Sequence, residues 1–220
     1  MKQWLKKLFG GSPVAHESAV ESSVPLSRIR QSFDVAAQDE EHFPSTIDPG
    51  IFHVKLIQEW FGDLASGRIL DNGCGKGRFA RVLHESRPDA KIVAFDLSEA
   101  MLRHVPQGIL PCSGTMTALP FAAASFDCVY ATESLEHAVR IDVAVSEMCR
   151  VLKPGGRLVI IDKNAEHWGR FQTPEWERWF RREELEKLLS RDCRSVSSRF
   201  ISYWDDVEPD GLFVAWLAQK

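Results

Sequence analysis

Ile69-Leu70-Asp71-Asn72-Gly73-Cys74-Gly75-Lys76-Gly77-Arg78-Phe79 reads as a strand that runs into three glycines at alternate positions and then into a helix. Ile69 and Leu70 suit a buried strand, and Phe79, Val82 and Leu83 fall at helical spacing, so the helix packs back on it. Glycine is the residue for a turn too tight for a Cβ, where backbone must come close to a ligand. In such a unit the ligand sits beyond the carboxyl end of the strand, beside the helix N-terminus. A Gly-rich turn alone is weak grounds for a nucleotide site, so the rest of the chain has to agree.

Downstream, the pattern alternates. Lys91–Asp96 is a second strand, and Ser98 offers an N-cap for a helix running to His104. Ile109–Cys112 and Phe126–Ala131 are a third and a fourth strand. Ile141, Val145, Met148 and Leu152 line one face of a helix, which Lys153-Pro154-Gly155-Gly156 ends before a fifth strand at Arg157–Asp162. Strands alternating with helices predict right-handed crossovers and a parallel sheet covered on both faces. After Asp162 the rhythm changes. A Trp-rich stretch leads to a helix around Glu183–Ser190, then to β-rich runs at Arg194–Tyr203 and Leu212–Leu217, joined through Glu208-Pro209-Asp210-Gly211. Two strands so connected are antiparallel.

Upstream, residues 26–66 read as helical, with Ile51, Val54, Leu56, Ile57, Trp60 and Phe61 at near-helical spacing and Asp48-Pro49 as a start signal. Residues 1–25 read as a separate segment. Met1–Phe9 places Met1, Trp4, Leu5, Leu8 and Phe9 on one helical arc and Lys2, Lys6 and Lys7 on the other, and a polar linker follows. The expected organisation is therefore a basic amphipathic segment and linker over 1–25 and one α/β domain over 26–220.

The bulk numbers narrow the function. The 220 residues carry 27 Lys and Arg against 31 Asp and Glu, a formal net charge of -4, which argues against a large nucleic-acid partner. Five cysteines form no CxxC pair, so neither a zinc site nor a disulfide framework is expected. No apolar run reaches the roughly 18 residues of a membrane span. No signal peptide is legible, which makes the cytoplasm the expected location.

Asp96 is the second mark of the nucleotide site. A carboxylate at the end of the strand after the glycine turn can accept both hydroxyls of a ribose. Turn and acid together point to an adenine nucleoside, which a dinucleotide site would share. With Asp71–Gly77 in the form Asp-x-Gly-x-Gly-x-Gly, Leu119-Pro120-Phe121, Ser125-Phe126-Asp127-Cys128-Val129, Leu135-Glu136-His137 and Glu147–Gly156, the chain resembles the class I S-adenosylmethionine-dependent methyltransferases over about residues 45–218. The branch it looks most like is the ubiquinone/menaquinone-biosynthesis type. The resemblance implies a Rossmann-like, seven-stranded, mostly parallel sheet in the order 3214576, its last strand antiparallel, with helices on both faces. It implies S-adenosylmethionine as cofactor, S-adenosylhomocysteine as product, and no metal.

By position, the resemblance puts Gly73, Gly75 and Gly77 along the methionine part of the cofactor, with Asp71 supporting that loop and the amino group. Asp96 would hold the ribose and Leu97 would pack on adenine. Thr115 and Met116 occupy the stretch near the adenine amino group, where an acidic residue is usual in the family, and Asn72 stands where an aliphatic one is usual.

Methyl transfer is an in-line displacement in which positioning and exclusion of water do much of the work, so no catalytic residue need be visible. The candidates are His137, after the fourth strand, and His167, after the fifth; each also has a plain structural reading as a loop residue. Glu133 and Glu136 read first as surface or loop-capping carboxylates, with base chemistry second. Trp168, Phe171, Trp176, Trp179 and Phe180 form either an apolar acceptor pocket or the packing of that segment on the sheet. Arg178, Arg181 and Arg182 read as a solvated helix face.

The expected activity is methylation of a small-molecule or lipid-linked biosynthetic substrate. The alternatives are a tRNA or protein methyltransferase, or a non-catalytic partner subunit on the same fold. Residues 1–9 add the expectation of peripheral contact with the inner face of a membrane.

Overall fold

The computed structural model describes residues 24–62 and 66–220. The amphipathic segment and most of its linker, expected over 1–25, lie outside the described residues.

Seven strands form one sheet in the order β3-β2-β1-β4-β5-β7-β6. They are β1 (Arg68–Asn72), β2 (Lys91–Asp96), β3 (Leu110–Ser113), β4 (Phe126–Thr132), β5 (Leu152–Lys163), β6 (Ser195–Ile201) and β7 (Phe213–Gln219). β1 runs parallel to β2 and β4, while β7 is antiparallel to both β5 and β6. The sequence-based order therefore holds. Leu70 pairs with Val93 on one side and Val129 on the other, so the central strand is fully enclosed. Such strands need continuous apolar runs.

The helices are α1 (Leu26–Ala36), α2 (Phe52–Phe61), α3 (Arg78–Ser86), α4 (Glu99–Leu102), α5 (Ile141–Val151) and α6 (Arg182–Leu189). They divide the core in two. Val54, Ile57 and Phe61 of α2 join Phe79, Val82 and Leu83 of α3 against one sheet face. Val145 and Met148 of α5 join Leu185 and Leu189 of α6 against the other. Each such side chain, fully buried, contributes about 1.5–3 kcal/mol.

Three boundaries differ from the sequence reading. The expected helical stretch 26–66 is two helices with an irregular segment between them. Asp48-Pro49 does not start the second: Asp48 accepts the Gly50 amide at 2.8 Å, and the helix begins at Phe52. Lys153–Gly156 is not a free turn but the first part of β5, because Gly155 and Gly156 exchange backbone hydrogen bonds with Lys220.

Candidate functional site

Parallel strands place the carboxyl ends of β1, β2, β4 and β5 on one edge, and the chemistry-bearing loops gather there. The glycine turn is clasped first. The amides of Gly73 and Cys74 both donate to the Phe95 carbonyl, at 2.8 and 3.0 Å. Gly75 follows with φ 54° and donates its amide to Asp96 Oδ2 at 2.7 Å. A Cβ on Gly75 would meet nothing within 4 Å, so this face of the turn is open to an approaching group. Gly73 is the opposite case: a Cβ there would lie 2.5 Å from both Met116 Cε and Ser134 Cβ. Gly77, at φ 77°, caps α3.

Two carboxylates flank the turn. Asp96 accepts from Gly75 through one oxygen and from the Ser98 amide, at 2.8 Å, through the other. Burial raises its carboxyl above the ordinary value. Asp71 is 1% exposed and neither of its oxygens has a partner at ordinary hydrogen-bond geometry. Burial pushes it up to about 7, against the pull of the Tyr130 hydroxyl beside it. A buried, unpaired carboxylate beside an open glycine face is set for a hydrogen-bond donor or a cation. Leu97 follows Asp96 and is part-buried. Thr115 pairs with Thr117 at 2.9 Å, and Met116 lies against Gly73. The structure thus brings together Asp71, Gly73, Gly75, Asp96 and Met116 around one turn.

A strap that the sequence did not reveal crosses this region. Ser98 Oγ donates to Asp34 Oδ1 of α1 at 2.6 Å. The buried Lys76 reaches out of the glycine turn to Glu40 Oε2 at 2.7 Å and to the Asp39 carbonyl at 3.2 Å. Phe33 of α1 packs its ring on His137, centroids 5.0 Å apart. No motif spacing links residues 33–40 to the turn; only the fold does.

Beyond β4 and β5 lies a buried charge cluster. Glu133 has φ 48° and accepts the Tyr203 hydroxyl on Oε1 at 2.6 Å, with Arg78 at 3.6 Å. Lys163, at the end of β5, pairs with Glu136 and lies 3.6 Å from Glu177, which also accepts from Trp179 Nε1 at 2.6 Å. Glu133 and Glu136 are therefore not surface carboxylates: Glu136 is 1% exposed and Glu133 is mostly covered. Their place at the ends of buried strands, next to a lysine that ends a strand, was the available signal.

His137 stands in this cluster, its Nε2 3.5 Å from Glu136 and its Nδ1 unpartnered. Burial lowers its pKa to about 4, so the ring is neutral. His167 is placed elsewhere. A Cβ on Gly211 would touch its Nε2 at 2.9 Å, because the loop after β5 folds onto the β6–β7 turn, where Arg170 meets Asp210. The aromatic group packs rather than opens: Trp176, Trp179 and Phe180 are buried, with Trp168 edge-on to Trp179. Arg182 is not free on a helix face but donates to Ser198 Oγ and O.

Glu136, His137 and Glu177 also offer ligand atoms within 4.8 Å of one another. The Lys163 ammonium already sits against two of them, which sets a metal ion against a fixed positive charge.

Comparison with known proteins agrees with this geometry. Residues 70–160 match the family described as a methyltransferase domain. A malonyl-[acyl-carrier protein] O-methyltransferase of Methylococcus capsulatus is 41% identical over 97 residues, 41% of this chain and 35% of that protein. A demethylmenaquinone methyltransferase of Lactococcus lactis is 31% identical over 153 residues, 64% of this chain and 60% of that one. The chain thus spans about a third to three fifths of these relatives. Among solved structures, the [4+2]-cyclase SpnF superposes with a TM-score of 0.76 at 17% identity, over 93% of this chain and 99% of the other. That likeness bears on the fold, and a cyclase on it shows that fold alone does not name a reaction.

Proposed function

We infer that this chain, which carries a class I S-adenosylmethionine-dependent methyltransferase domain of the ubiquinone/menaquinone-biosynthesis-like branch, transfers a methyl group from that cofactor to a small-molecule or lipid-linked acceptor. The observation that carries the reading is the joined unit of Gly75 and Asp96, with the unpaired Asp71 carboxylate beside it.

The residues fit the cofactor. Asp96 accepts one backbone amide on each oxygen and keeps lone pairs for the two ribose hydroxyls. The open side of Gly75 leaves room for the methionine part, and Asp71 meets its ammonium group. Leu97, Thr115 and Met116 line the base and sulfur side, with Gly73 and Gly77 shaping the turn. When bound, the cofactor supplies an activated methyl on a sulfonium. The protein's own part is to orient, to exclude water and to hold charge. The α1 strap covers the turn through Asp34, Glu40 and Phe33. His137 serves as a neutral wall of the acceptor side, and His167, beside Gly211, stands as the second candidate.

Two finer readings support a place for the enzyme. The chain works in the cytoplasm, and residues 1–9 give it reversible contact with an anionic membrane surface, where a lipid-linked acceptor would be found. No described helix is long and apolar enough to cross a membrane.

Calorimetric titration of the full chain with S-adenosylmethionine and S-adenosylhomocysteine tests the core of the reading. One-to-one saturable binding of both is expected. Absence of binding by either would remove it.

A further inference from the structure

Glu133 combines three features that no packing role requires together. It is one of two non-glycine residues with positive φ among the described residues, at φ 48°. Backbone strain of this kind is kept where it aims a group that function needs. Its amide is pinned to the Ile161 carbonyl at 2.7 Å, and the next residue, Ser134, lies against Gly73 of the cofactor turn. The side chain lies 3.6 Å from Arg78, the residue that follows Gly77 of that turn. Tyr203 and Arg78 both approach Oε1; no described residue pairs with Oε2, and the side chain keeps 19% exposure. Tyr203 is itself held by a ring stack on His53, centroids 4.4 Å apart. One carboxylate oxygen is thus fixed by protein and the other is offered.

The charges around it are unbalanced. Glu133, Glu136, Asp162 and Glu177 all act on Lys163, and Arg78 is the other cation beside Glu133. Four carboxyls face two cations. Burial, with Glu136 close by, raises the Asp162 carboxyl well above its ordinary value. Burial raises Glu177 as well, as expected where carboxylates outnumber cations. A surplus of carboxyls over cations suits an organic cation beside Glu133.

We propose that Glu133 is the residue that recognises the methyl acceptor, through Oε2, and that the acceptor presents an amine at its methylated end. The proposal rests on the methyltransferase reading. The acceptor binds as an ammonium and gives one proton to water; its neutral amine nitrogen then forms the new N–C bond as the C–S bond breaks with its electron pair going to sulfur. Positive charge moves from sulfur to nitrogen, and the resulting N-methylammonium later releases its proton to water. A carboxylate beside the nitrogen is worth more as that charge develops, which is the condition for accelerating the step. An anionic acceptor would instead be repelled by the Glu133 carboxylate.

The test uses the full chain saturated with S-adenosylhomocysteine and three probes of equal chain length: hexylamine, hexanoate and 1-hexanol. Hexylamine should bind at least about tenfold more tightly than the other two, the scale of one charge-assisted hydrogen bond. Glu133→Gln should erase that preference and Glu133→Asp should keep part of it, with S-adenosylhomocysteine affinity within about twofold of the parent. Tyr203→Phe, which frees the carboxylate to turn, should reduce the preference without abolishing it. Equal binding of the probes, tighter hexanoate, no saturable hexylamine binding, or a preference intact in Glu133→Gln overturns the proposal. So does a Glu133→Gln variant that weakens S-adenosylmethionine but not S-adenosylhomocysteine or hexylamine, since the carboxylate would then serve the sulfonium. Failure of the parent chain to bind S-adenosylhomocysteine is read separately: it removes the methyltransferase reading and this inference with it.

Discussion

The Gly75 amide and the Asp96 carboxylate are joined at 2.7 Å, so the turn after β1 and the acid that ends β2 form one unit before any ligand arrives. Asp96 is therefore a scaffold group, and under the proposed function a ligand group as well. Asp96→Ala should weaken S-adenosylmethionine by at least about a hundredfold, the loss of two charge-assisted hydrogen bonds. It should also cost about 1–3 kcal/mol of stability, because the amides of Gly75 and Ser98 lose their acceptor. Gly75→Val separates the two roles. Its Cβ enters open space, but a β-branched residue at φ 54° is strained by about 1–2 kcal/mol and fills the cofactor's side of the turn. Calorimetry and thermal melts read both effects; unchanged titrations in both variants would move the cofactor elsewhere.

Asp71 predicts a pH dependence. Its carboxyl is held at about 7 by burial. Between the unfolded value, near 4, and 7 the folded chain holds the extra proton. The Asp71 contribution to stability is thus full below the unfolded value and is lost as pH rises through 7. Binding of an ammonium group has the opposite sign: affinity should rise as pH increases through about 7 and Asp71 ionises. Asp71→Asn should flatten that rise between about pH 6 and 8 in titrations of S-adenosylmethionine. A parent profile already flat over this range would mean that Asp71 does not meet the ammonium.

Much of this unit was legible in the sequence, and the reason is local. Strand, glycine turn and strand-end acid lie in one βαβ stretch, so spacing alone brings Gly75 and Asp96 together. Alternation up to β5 made the sheet parallel and the connection between β6 and β7 made the last pair antiparallel, while the strand order itself came from the family resemblance. Glu133, Tyr203, Lys163 and Glu177 were not legible as a group. They come from the end of β5 and from three loops far apart in the chain, and only packing makes neighbours of them. The aromatic segment misleads for a related reason: Trp179 looks like a pocket wall by composition, yet it is 1% exposed with its indole N–H spent on Glu177.

His53 gives a test of stability without chemistry. It is fully buried on α2, stacked on Tyr203, and neither ring nitrogen has a partner. Burial lowers its pKa to about 4. The unfolded chain therefore binds the proton first as pH falls from the ordinary histidine value near 6.5, and stability present above that value is lost on the way down to 4. His53→Leu removes two unsatisfied polar atoms while keeping the volume. It should raise stability by about 1–2 kcal/mol at neutral pH and by more near pH 5. Urea melts at both pH values check it, and a destabilised variant would show that the imidazole has a polar role in the fold.

The Lys76 strap can be cut without emptying the space beneath it. Lys76→Met keeps the buried stem and removes the contacts to Glu40 and the Asp39 carbonyl. Glu40 is largely solvated, so its loss of a partner should leave global stability close to the parent's. Locally the change should be larger. Amides of residues 39–45 should exchange with solvent about tenfold faster, while those of β1 and β4 keep their protection. Equal exchange across 39–45 in the two proteins would show that the segment is held over the turn by α1 alone.

Residues 1–9 carry the last prediction. Trp4, Leu5, Leu8 and Phe9 fall on one arc of a helical wheel and three lysines on the other, over a length too short to span a bilayer. A segment of that kind binds an interface through its apolar arc and anionic headgroups through its lysines, each lysine near the surface adding about 1 kcal/mol. The sum is weak and salt-sensitive, which suits an enzyme that visits a membrane-borne acceptor and leaves. The full chain should co-sediment with vesicles rich in phosphatidylserine at low salt, should be released as salt is raised, and should ignore vesicles of phosphatidylcholine alone. A chain starting at Ser18 should stay in the supernatant throughout while binding S-adenosylmethionine as the full chain does. Equal pelleting of the two chains would place any membrane contact on the folded domain. No pelleting of either at low salt would leave the segment without a role at a membrane.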